Sequence, residues 1–99
     1  MNLNIHPVHF TADSKLIDLI KEKIKKIEKF NDGITNVDVY LVLENTSDHV
    51  KNKVVEIKIN AYNKKLFTKE VSKTFEDAFS ISLNEMISQL KKNKEIIKG

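Results

Sequence analysis

The clearest chemical signal in this sequence comes from its permanent cations, all of which are lysines. The chain has 17 Lys and no Arg, and the lysines are densest in two stretches, Lys21–Lys29 and Lys91–Lys98. An ammonium group is a point charge suited to neutralising phosphates, whereas the planar guanidinium group grips base edges with two hydrogen bonds at once. The pattern favours a polyanion bound through its backbone and shape. Helix surfaces are also lysine-rich for solubility alone, so each stretch taken singly fits either interpretation.

Residues of other reactive types do not form a constellation that predicts catalysis. The sequence has no Cys, and its only glycines are Gly33 and Gly99, so it has neither a thiol nucleophile nor a phosphate-binding glycine-rich loop. His6 and His9 are three residues apart on a predicted strand and would face opposite sides, which disfavours a metal pair. His49 falls in a predicted polar loop. We therefore expect no enzyme activity, no metal and no cofactor.

Length and hydropathy predict one domain over residues 1–99. A chain of 99 residues can bury a modest core without disulfide or metal staples. No apolar run approaches the roughly 20 residues of a membrane span, and the start of the chain lacks the basic-then-apolar layout of a signal peptide. These features predict a cytoplasmic protein with no membrane partner.

The first part of the chain reads as a strand followed by a helix. Leu3 and Ile5 alternate with polar residues, and Pro7 implies a sheet edge, a bulge or the end of the strand. Asp13 is a predicted N-cap for a helix that runs to about Phe30. Its buried stripe is Leu16, Ile20, Ile24 and Ile27, and residues 31–33 end it.

The rest of the chain reads as three strands and a second helix. The strands are predicted from Ile34 to near Glu44, around Val55–Ile59 and over Leu66–Val71, with turns at residues 45–48 and 63–65. The helix begins near Ser72 or Thr74, and its buried stripe is Phe75, Phe79, Leu83, Met86 and Leu90, continued by Ile97. The order β-α-β-β-β-α predicts an α+β two-layer sandwich, a four-stranded sheet with two helices on one face.

Helical spacing places some lysines beside the apolar stripes. Lys23 falls at the edge of the first stripe, where its ammonium group must reach along the helix flank to water. Ile87, Lys91, Lys94 and Lys98 form a ridge on the last helix. If the helices lie side by side, their flanks line a groove made chiefly by Lys23, Lys26, Lys91 and Lys94. A protein–protein interaction module, with Tyr40 and Val42 on the exposed sheet face, is an alternative.

Six short motifs, in order, resemble those of one family over essentially the whole chain. They are Leu3–Ile5, Asp13–Leu16, Lys23–Phe30, Ile34–Val37, Val55–Ile59 and Gln89–Lys94. Lys23–Phe30, for example, is similar to a Lys-Leu-x-Lys-Leu-Glu-Arg-Tyr stretch. The chain resembles the ribosome hibernation promoting factor family, also called ribosome-associated inhibitor or factor Y proteins.

The resemblance implies a fold like that of double-stranded-RNA-binding domains, with no catalytic activity and no small-molecule substrate. It implies docking on the small ribosomal subunit and its 16S-type rRNA, in the channel for messenger RNA and transfer RNAs, which silences idle ribosomes during starvation. By matching position, the rRNA contacts would be Lys23, Lys26, Lys29, Lys92 and Lys94. The lysine ridge adds Lys91 and Lys98. A stand-alone double-stranded RNA-binding protein is the alternative.

The sequence departs from the family pattern at three places. Glu85 stands where a Lys is usual, Ser88 stands where an Arg is usual, and Asn63-Lys64-Lys65 replaces a Gly-Gly turn. The length fits a short form without the C-terminal dimerisation domain of long members. In the family, short forms that support ribosome dimers do so with a separate ribosome modulation factor.

Overall fold

Six elements form the fold in the order β-α-β-β-β-α, which confirms the predicted α+β class. The structure is a computed structural model that describes residues 1–44 and 52–98. The elements are β1 (Asn2–Val8), α1 (Ser14–Phe30), β2 (Ile34–Leu43), β3 (Lys53–Ala61), β4 (Lys64–Ser72) and α2 (Phe75–Lys98). The turn predicted at residues 45–48 and the loop position of His49 lie outside the described residues.

The four strands form one sheet in the order β1-β2-β3-β4. β2, β3 and β4 pair antiparallel, whereas β1 pairs parallel with β2, so α1 is the crossover that connects two parallel neighbours. Pro7 lies within β1, in register with Leu41. Because β1 is an edge strand, the missing N–H of Pro7 does not interrupt the sheet, in agreement with the edge interpretation.

One hydrophobic core lies between the sheet and both helices. It contains the predicted stripe of α1, most of the predicted stripe of α2, and alternate residues of the strands. Val39 and Ile57, at the centre of the sheet, are fully buried, and so are Ile20 on α1 and Met86 on α2. Phe75 is only partly buried, and its ring stacks on that of Phe10 with a centroid distance of 4.9 Å. Both helices therefore cover the same face of the sheet, which we call the inner face.

The ends of α1 are fixed by local hydrogen bonds. The N–H of Lys15 donates to Asp13 Oδ1 (3.0 Å), and the N–H of Ile17 donates to the Asp13 carbonyl (3.1 Å), so Asp13 is the N-cap as predicted. At the other end, Asn31 Nδ2 donates to the Ile27 carbonyl (2.9 Å). The bond from Asn31 satisfies one of the carbonyl groups that the last turn of α1 leaves unpaired.

The start of α2 and its docking on β4 depend on hydroxyl groups. Thr74 Oγ1 accepts a hydrogen bond from the N–H of Asp77 (3.1 Å), which confirms the helix start predicted at Thr74. Thr68 of β4 and Ser82 of α2 are buried, and their hydroxyl oxygens lie 2.6 Å apart. Each hydroxyl thereby satisfies the other inside the core.

The turn between β3 and β4 is shorter than the predicted turn at residues 63–65. Tyr62 and Asn63 form it, with φ angles of 55° and 60°, and Lys64 and Lys65 already belong to β4. Two positive φ angles are typical of the two-residue hairpin turn that matches the twist of the strands. A tyrosine is unusual in this conformation, so the residue types predicted a turn that begins one residue too late in the chain.

The Tyr62 ring explains the glycine that follows α1. Gly33 has no positive φ angle, so it is not required by the backbone conformation of a helix C-cap. Instead, a Cβ at Gly33 would overlap the Tyr62 ring. The Tyr62 hydroxyl also donates to Asn31 Oδ1 (3.3 Å), and the Tyr62 N–H donates to the Gly33 carbonyl (3.3 Å). The hairpin tip is thus fastened to the end of α1.

None of the helices in the described part of the chain is long and apolar enough to cross a membrane.

Candidate nucleic-acid interface

An open groove of about 830 Å³ lies between α1 and α2 and is called the helix groove below. Apolar side chains of both helices form its floor, among them Ile27, Phe79 and Leu83. Lys23 and Lys26 line it from α1, and Lys91 and Lys94 line it from α2. The four lysines that helical spacing predicted to share a groove are thus brought together.

The two helices run in the same direction, which sets the charge pattern of the helix groove. The Phe10–Phe75 stack places the start of α2 beside the segment that leads into α1. Glu76 and Asp77 therefore line the groove near the helix starts, and all four lysines line it towards the helix ends. Helix C-termini carry partial negative charge, which lysines offset. The groove has an acidic end and a more strongly basic end.

Three lysines of the basic end remain available to an external anion. Lys23, Lys26 and Lys91 are exposed, and no carboxylate in the described part of the chain forms an ion pair with any of them. Lys94 is half-buried and has a polar interaction within the molecule. Ammonium groups on two facing walls can contact phosphates on both sides of a nucleic-acid backbone. This arrangement suits a phosphodiester chain better than it suits an isolated anion.

Other residues predicted as rRNA contacts lie elsewhere. Lys29 and Lys92 are exposed on their helices but do not line the helix groove. The side chain of Lys98 is outside the described part of the structure. The predicted contact set therefore divides into four groove lysines and two that face other directions, with the seventh undescribed.

Sequence reasoning missed the uncharged and acidic residues of the groove. Asn31 lines it after α1, and Ser80 and Asn84 line it from α2, between the acidic and basic ends. Hydroxyl and amide groups such as these commonly donate hydrogen bonds to phosphate and sugar oxygens. Ser80 and Asn84 lie three or four residues from Glu76, Asp77 or Ile87 along α2. Residues at this spacing share one helix face, so the sequence held a usable signal for these two groove residues.

The departures from the family pattern have structural consequences away from the helix groove. Glu85 lies beside Glu70 of β4, and a hydrogen bond with Glu70, together with partial desolvation and charge repulsion, raises the pKa of Glu85 above its ordinary value. The Ser88 hydroxyl donates to the Asn84 carbonyl (3.2 Å). Neither Glu85 nor Ser88 lines the groove. The two substitutions therefore change the outward flanks of α2 and leave the groove lysines in place.

The histidines do not come together. His6 Nε2 donates to Asp38 Oδ1 (3.0 Å), and its ring stacks on Tyr40 with a centroid distance of 4.6 Å. His9 is exposed and has a positive φ of 68°. Within residues 1–44 and 52–98, no group of three His, Cys, Asp or Glu side chains could hold a metal ion. His6 is thus a hydrogen-bonded residue of the sheet surface.

The sequence matches that of a known protein family over almost its whole length. The model of the family described as "Sigma 54 modulation protein / S30EA ribosomal protein" matches residues 3–98. The chain belongs to this family. The match spans all six elements and confirms the family resemblance carried by the short motifs. No curated protein sequence matches the chain significantly.

Solved structures share the fold of this family member. A ribosomal subunit interface protein from Coxiella burnetii is 17% identical, with a TM-score of 0.81 over 96% of this chain and 99% of that one. The N-terminal domain of Protein Y from Thermus thermophilus is 17% identical, with a TM-score of 0.78 over 93% of this chain and 98% of that one. At this identity the matches establish the fold, and the functional residues must be argued from this chain itself.

Proposed function

We propose that this protein is a non-enzymatic hibernation factor that binds the small ribosomal subunit in its messenger and transfer RNA channel and inhibits translation there by occupying the space. The observation that carries the proposal is the helix groove, in which lysines from two helices face one open channel. The chain belongs to a family whose description includes the words "ribosomal protein", and this supports a ribosomal target. Such a protein acts in the cytoplasm.

The chemistry of the groove fits structured ribosomal RNA. Its cations are all lysines, which contact phosphates as point charges and do not read base edges. Binding of this kind depends on the path of the RNA backbone, which in folded RNA is fixed by tertiary structure. A rigid two-layer domain held in the channel excludes messenger and transfer RNA sterically, so no catalytic group is needed. Contacts to RNA outside the helix groove would come from Lys29, Lys92 and Lys98.

The first experiment is sedimentation of the protein with purified small subunits over a salt series. Four lysine–phosphate contacts predict that the logarithm of the binding constant falls against the logarithm of salt with a slope of about −3, at about 0.7–0.9 per phosphate. Messenger RNA and initiator transfer RNA, added together, should displace the protein. Association that is independent of salt, or that persists unchanged with both competitors, contradicts the proposal.

A matched pair of variants tests the groove itself. Lys26→Gln with Lys91→Gln removes two groove lysines, and Lys21→Gln with Lys25→Gln removes the same charge from exposed positions of α1 outside the groove. The groove variant should lower the salt slope by about 1.5, from the loss of two phosphate contacts. The control variant should stay close to the parent chain. Equal loss in both variants would mean that net charge, and not the groove, determines docking.

The alternative function is stand-alone binding of double-stranded RNA. It is favoured by the three antiparallel strands followed by α2, with a basic helix groove on the helical side. A gel shift with a free RNA duplex of about 20 base pairs, beside purified small subunits at equal RNA concentration, separates the two functions. Tighter binding to the duplex supports the alternative and contradicts docking on the ribosome.

A further inference from the structure

The face of the sheet opposite the helices, called the outer face, carries an exposed aromatic residue among lysines. On β4, Lys65, Phe67 and Lys69 alternate with inner residues and therefore point to this face. Phe67 is 47% exposed. Lys58 of β3 lies directly opposite it in register. We call these four residues the outer platform.

Phe67 is not an isolated surface residue, because a lysine lies close to its ring. Lys58 Nζ lies 5.9 Å from the centroid of the Phe67 ring and 5.1 Å from that of Tyr40. Both distances are within the range of cation–π attraction. The ammonium group of Lys58 thus stands between two rings, and Phe67 as a residue is still nearly half exposed.

The charge of the outer face is positive around the platform. Asp38, opposite Lys58 in the β2–β3 register, is hydrogen-bonded to His6 instead, and the His6 ring is stacked on Tyr40. Glu56, in register with Lys69, is the other carboxylate on this face of β2, β3 and β4 within the described residues. Three lysines therefore stand against two carboxylates on this part of the outer face, and one of the two, Asp38, is already held by His6. This balance favours an anion.

An aromatic ring with flanking cations on an open sheet is the arrangement that binds single-stranded nucleic acid. A base stacks on the ring, and the phosphates on either side of it contact the lysines. A duplex cannot use such a ring, because its bases are already stacked on each other. The platform thus differs in chemistry from the helix groove, which lies on the other side of the sheet and offers no exposed ring.

We propose that the outer platform is a second RNA site, which binds a single-stranded segment by stacking one base on Phe67 and contacting its phosphates with Lys58, Lys65 and Lys69. The site is independent of the helix groove, since the sheet and the core separate the two. A chain that docks through the groove can therefore hold a single strand on its outer face at the same time. The inference does not depend on the proposed function.

The chain has no Trp, so one introduced tryptophan reports directly on stacking. In Phe67→Trp, titration with a single-stranded adenosine decamer should quench the tryptophan emission. Ile81→Trp is the matched control, because Ile81 is also 47% exposed but belongs to α2 in the helix layer. Quenching in the first variant alone supports the platform. Equal quenching in both variants, or none in either, overturns it.

Affinity measurements test how much the Phe67 ring contributes to binding of the single strand. Phe67→Ala should weaken binding of a labelled decamer by about 5- to 150-fold, the loss that stacking on an aromatic residue typically accounts for. Phe67→Tyr should retain the affinity, which shows that the ring and not general stability is responsible. Thermal melting confirms that each variant is folded. A Phe67→Leu variant that binds as well as the parent chain contradicts the proposal.

Two further comparisons separate this site from the helix groove. Lys65→Gln with Lys69→Gln should lower the salt slope for the decamer by about 1.4, at about 0.7 per phosphate of a single strand. Lys26→Gln with Lys91→Gln should leave decamer binding unchanged. If the groove variant loses decamer binding and the platform variants do not, the strand binds in the groove and the outer platform is not a site. A duplex that binds the platform as tightly as the single strand also overturns the inference.

Discussion

At the scale of single residues, neighbours in the sequence have different surroundings. Lys25 and Lys26 are adjacent and both exposed, yet only Lys26 lines the helix groove. Lys91 lines it and Lys92 does not. A step of one residue turns a side chain by about 100° around a helix, so charge counts along the sequence do not measure the charge of a site. The position of each lysine relative to the groove decides its role.

Gly33 is required by a contact and not by its own backbone conformation. Gly33→Ala should lower the free energy of unfolding by about 1–3 kcal/mol, because its Cβ would overlap the Tyr62 ring. Urea denaturation followed by circular dichroism measures this. In a Tyr62→Gly background the ring is gone and glycine adopts the positive φ readily, so the same Gly33→Ala change should cost much less. Equal costs in both backgrounds would rule out the ring contact as the reason.

Glu85 should make the stability of the fold depend on pH. The hydrogen bond with Glu70 raises its pKa in the folded state, so the folded chain holds the proton more tightly than the unfolded chain does. The resulting stabilisation is present below the ordinary carboxyl pKa and is lost as pH rises through the raised folded-state pKa. The neutral-pH protein therefore holds two like charges side by side.

Glu85→Lys tests this pair. At neutral pH the variant should have a higher unfolding midpoint than the parent chain, because a lysine beside Glu70 replaces repulsion with attraction. At about pH 4 the gain should shrink, since Glu85 of the parent chain, whose pKa is raised, then takes up a proton and no longer repels Glu70. Glu85→Gln, which removes only the repulsion, should fall between the two at neutral pH. A Lys variant that melts below the Gln variant at neutral pH would show that the two side chains do not interact in solution.

At the scale of elements, α2 is attached to the sheet by apolar packing and one buried polar contact. The Thr68–Ser82 pair joins β4 to α2, and Gln89 Nε2 donates to the Phe67 carbonyl (3.2 Å) further along the same helix. The second bond joins α2 to β4, the strand that carries three of the four residues of the outer platform. The helix that lines the groove and the strand that presents Phe67 are therefore one packed unit.

The buried hydroxyl pair should behave as a coupled unit. Thr68→Val and Ser82→Ala should each lower the free energy of unfolding by about 1–3 kcal/mol, because each leaves a buried hydroxyl without its partner. The double variant should cost less than the sum of the two, since it leaves neither hydroxyl unpaired. Denaturant unfolding of the four chains measures the coupling. Additive costs would mean that the hydroxyls find other partners.

At the scale of the whole molecule, one sheet separates two surfaces of different chemistry. The inner face supports both helices and hence the helix groove, whereas the outer face carries the platform and, at its far end, a row of valines made by Val8, Val42, Val54 and Val71. Tyr40 and Val42, which sequence reasoning offered as a protein-binding face, lie in different rows of this outer surface. Tyr40 is covered by His6 and Lys58 and belongs to the polar part.

Both helices share one core, so the chain should unfold in a single step. Ile57→Ala, at a fully buried position in the centre of the sheet, should lower the free energy of unfolding by about 2–5 kcal/mol. Ile81→Ala, at a position that is 47% exposed, should change it by no more than about 0.5 kcal/mol. Far-ultraviolet circular dichroism and tyrosine fluorescence should give coincident transitions in both variants. Separate transitions would show that the helices unfold independently of the sheet.

Local signals in the sequence were enough to predict the elements of this protein and the helix flanks on which its lysines lie. These signals are the hydrophobic period, the caps at Asp13 and Thr74, and Pro7 on the edge strand, and each spans only a few residues. They predicted the fold class, the helix starts and the core stripes. The tertiary structure decided what these flanks face. It joined Lys23 and Lys26 to lysines of a distant helix, and the strand register placed Lys58 beside Phe67. It also gave Gly33 its reason, through a ring from another hairpin. These relations depend on packing between segments far apart in the chain, and no local period encodes them.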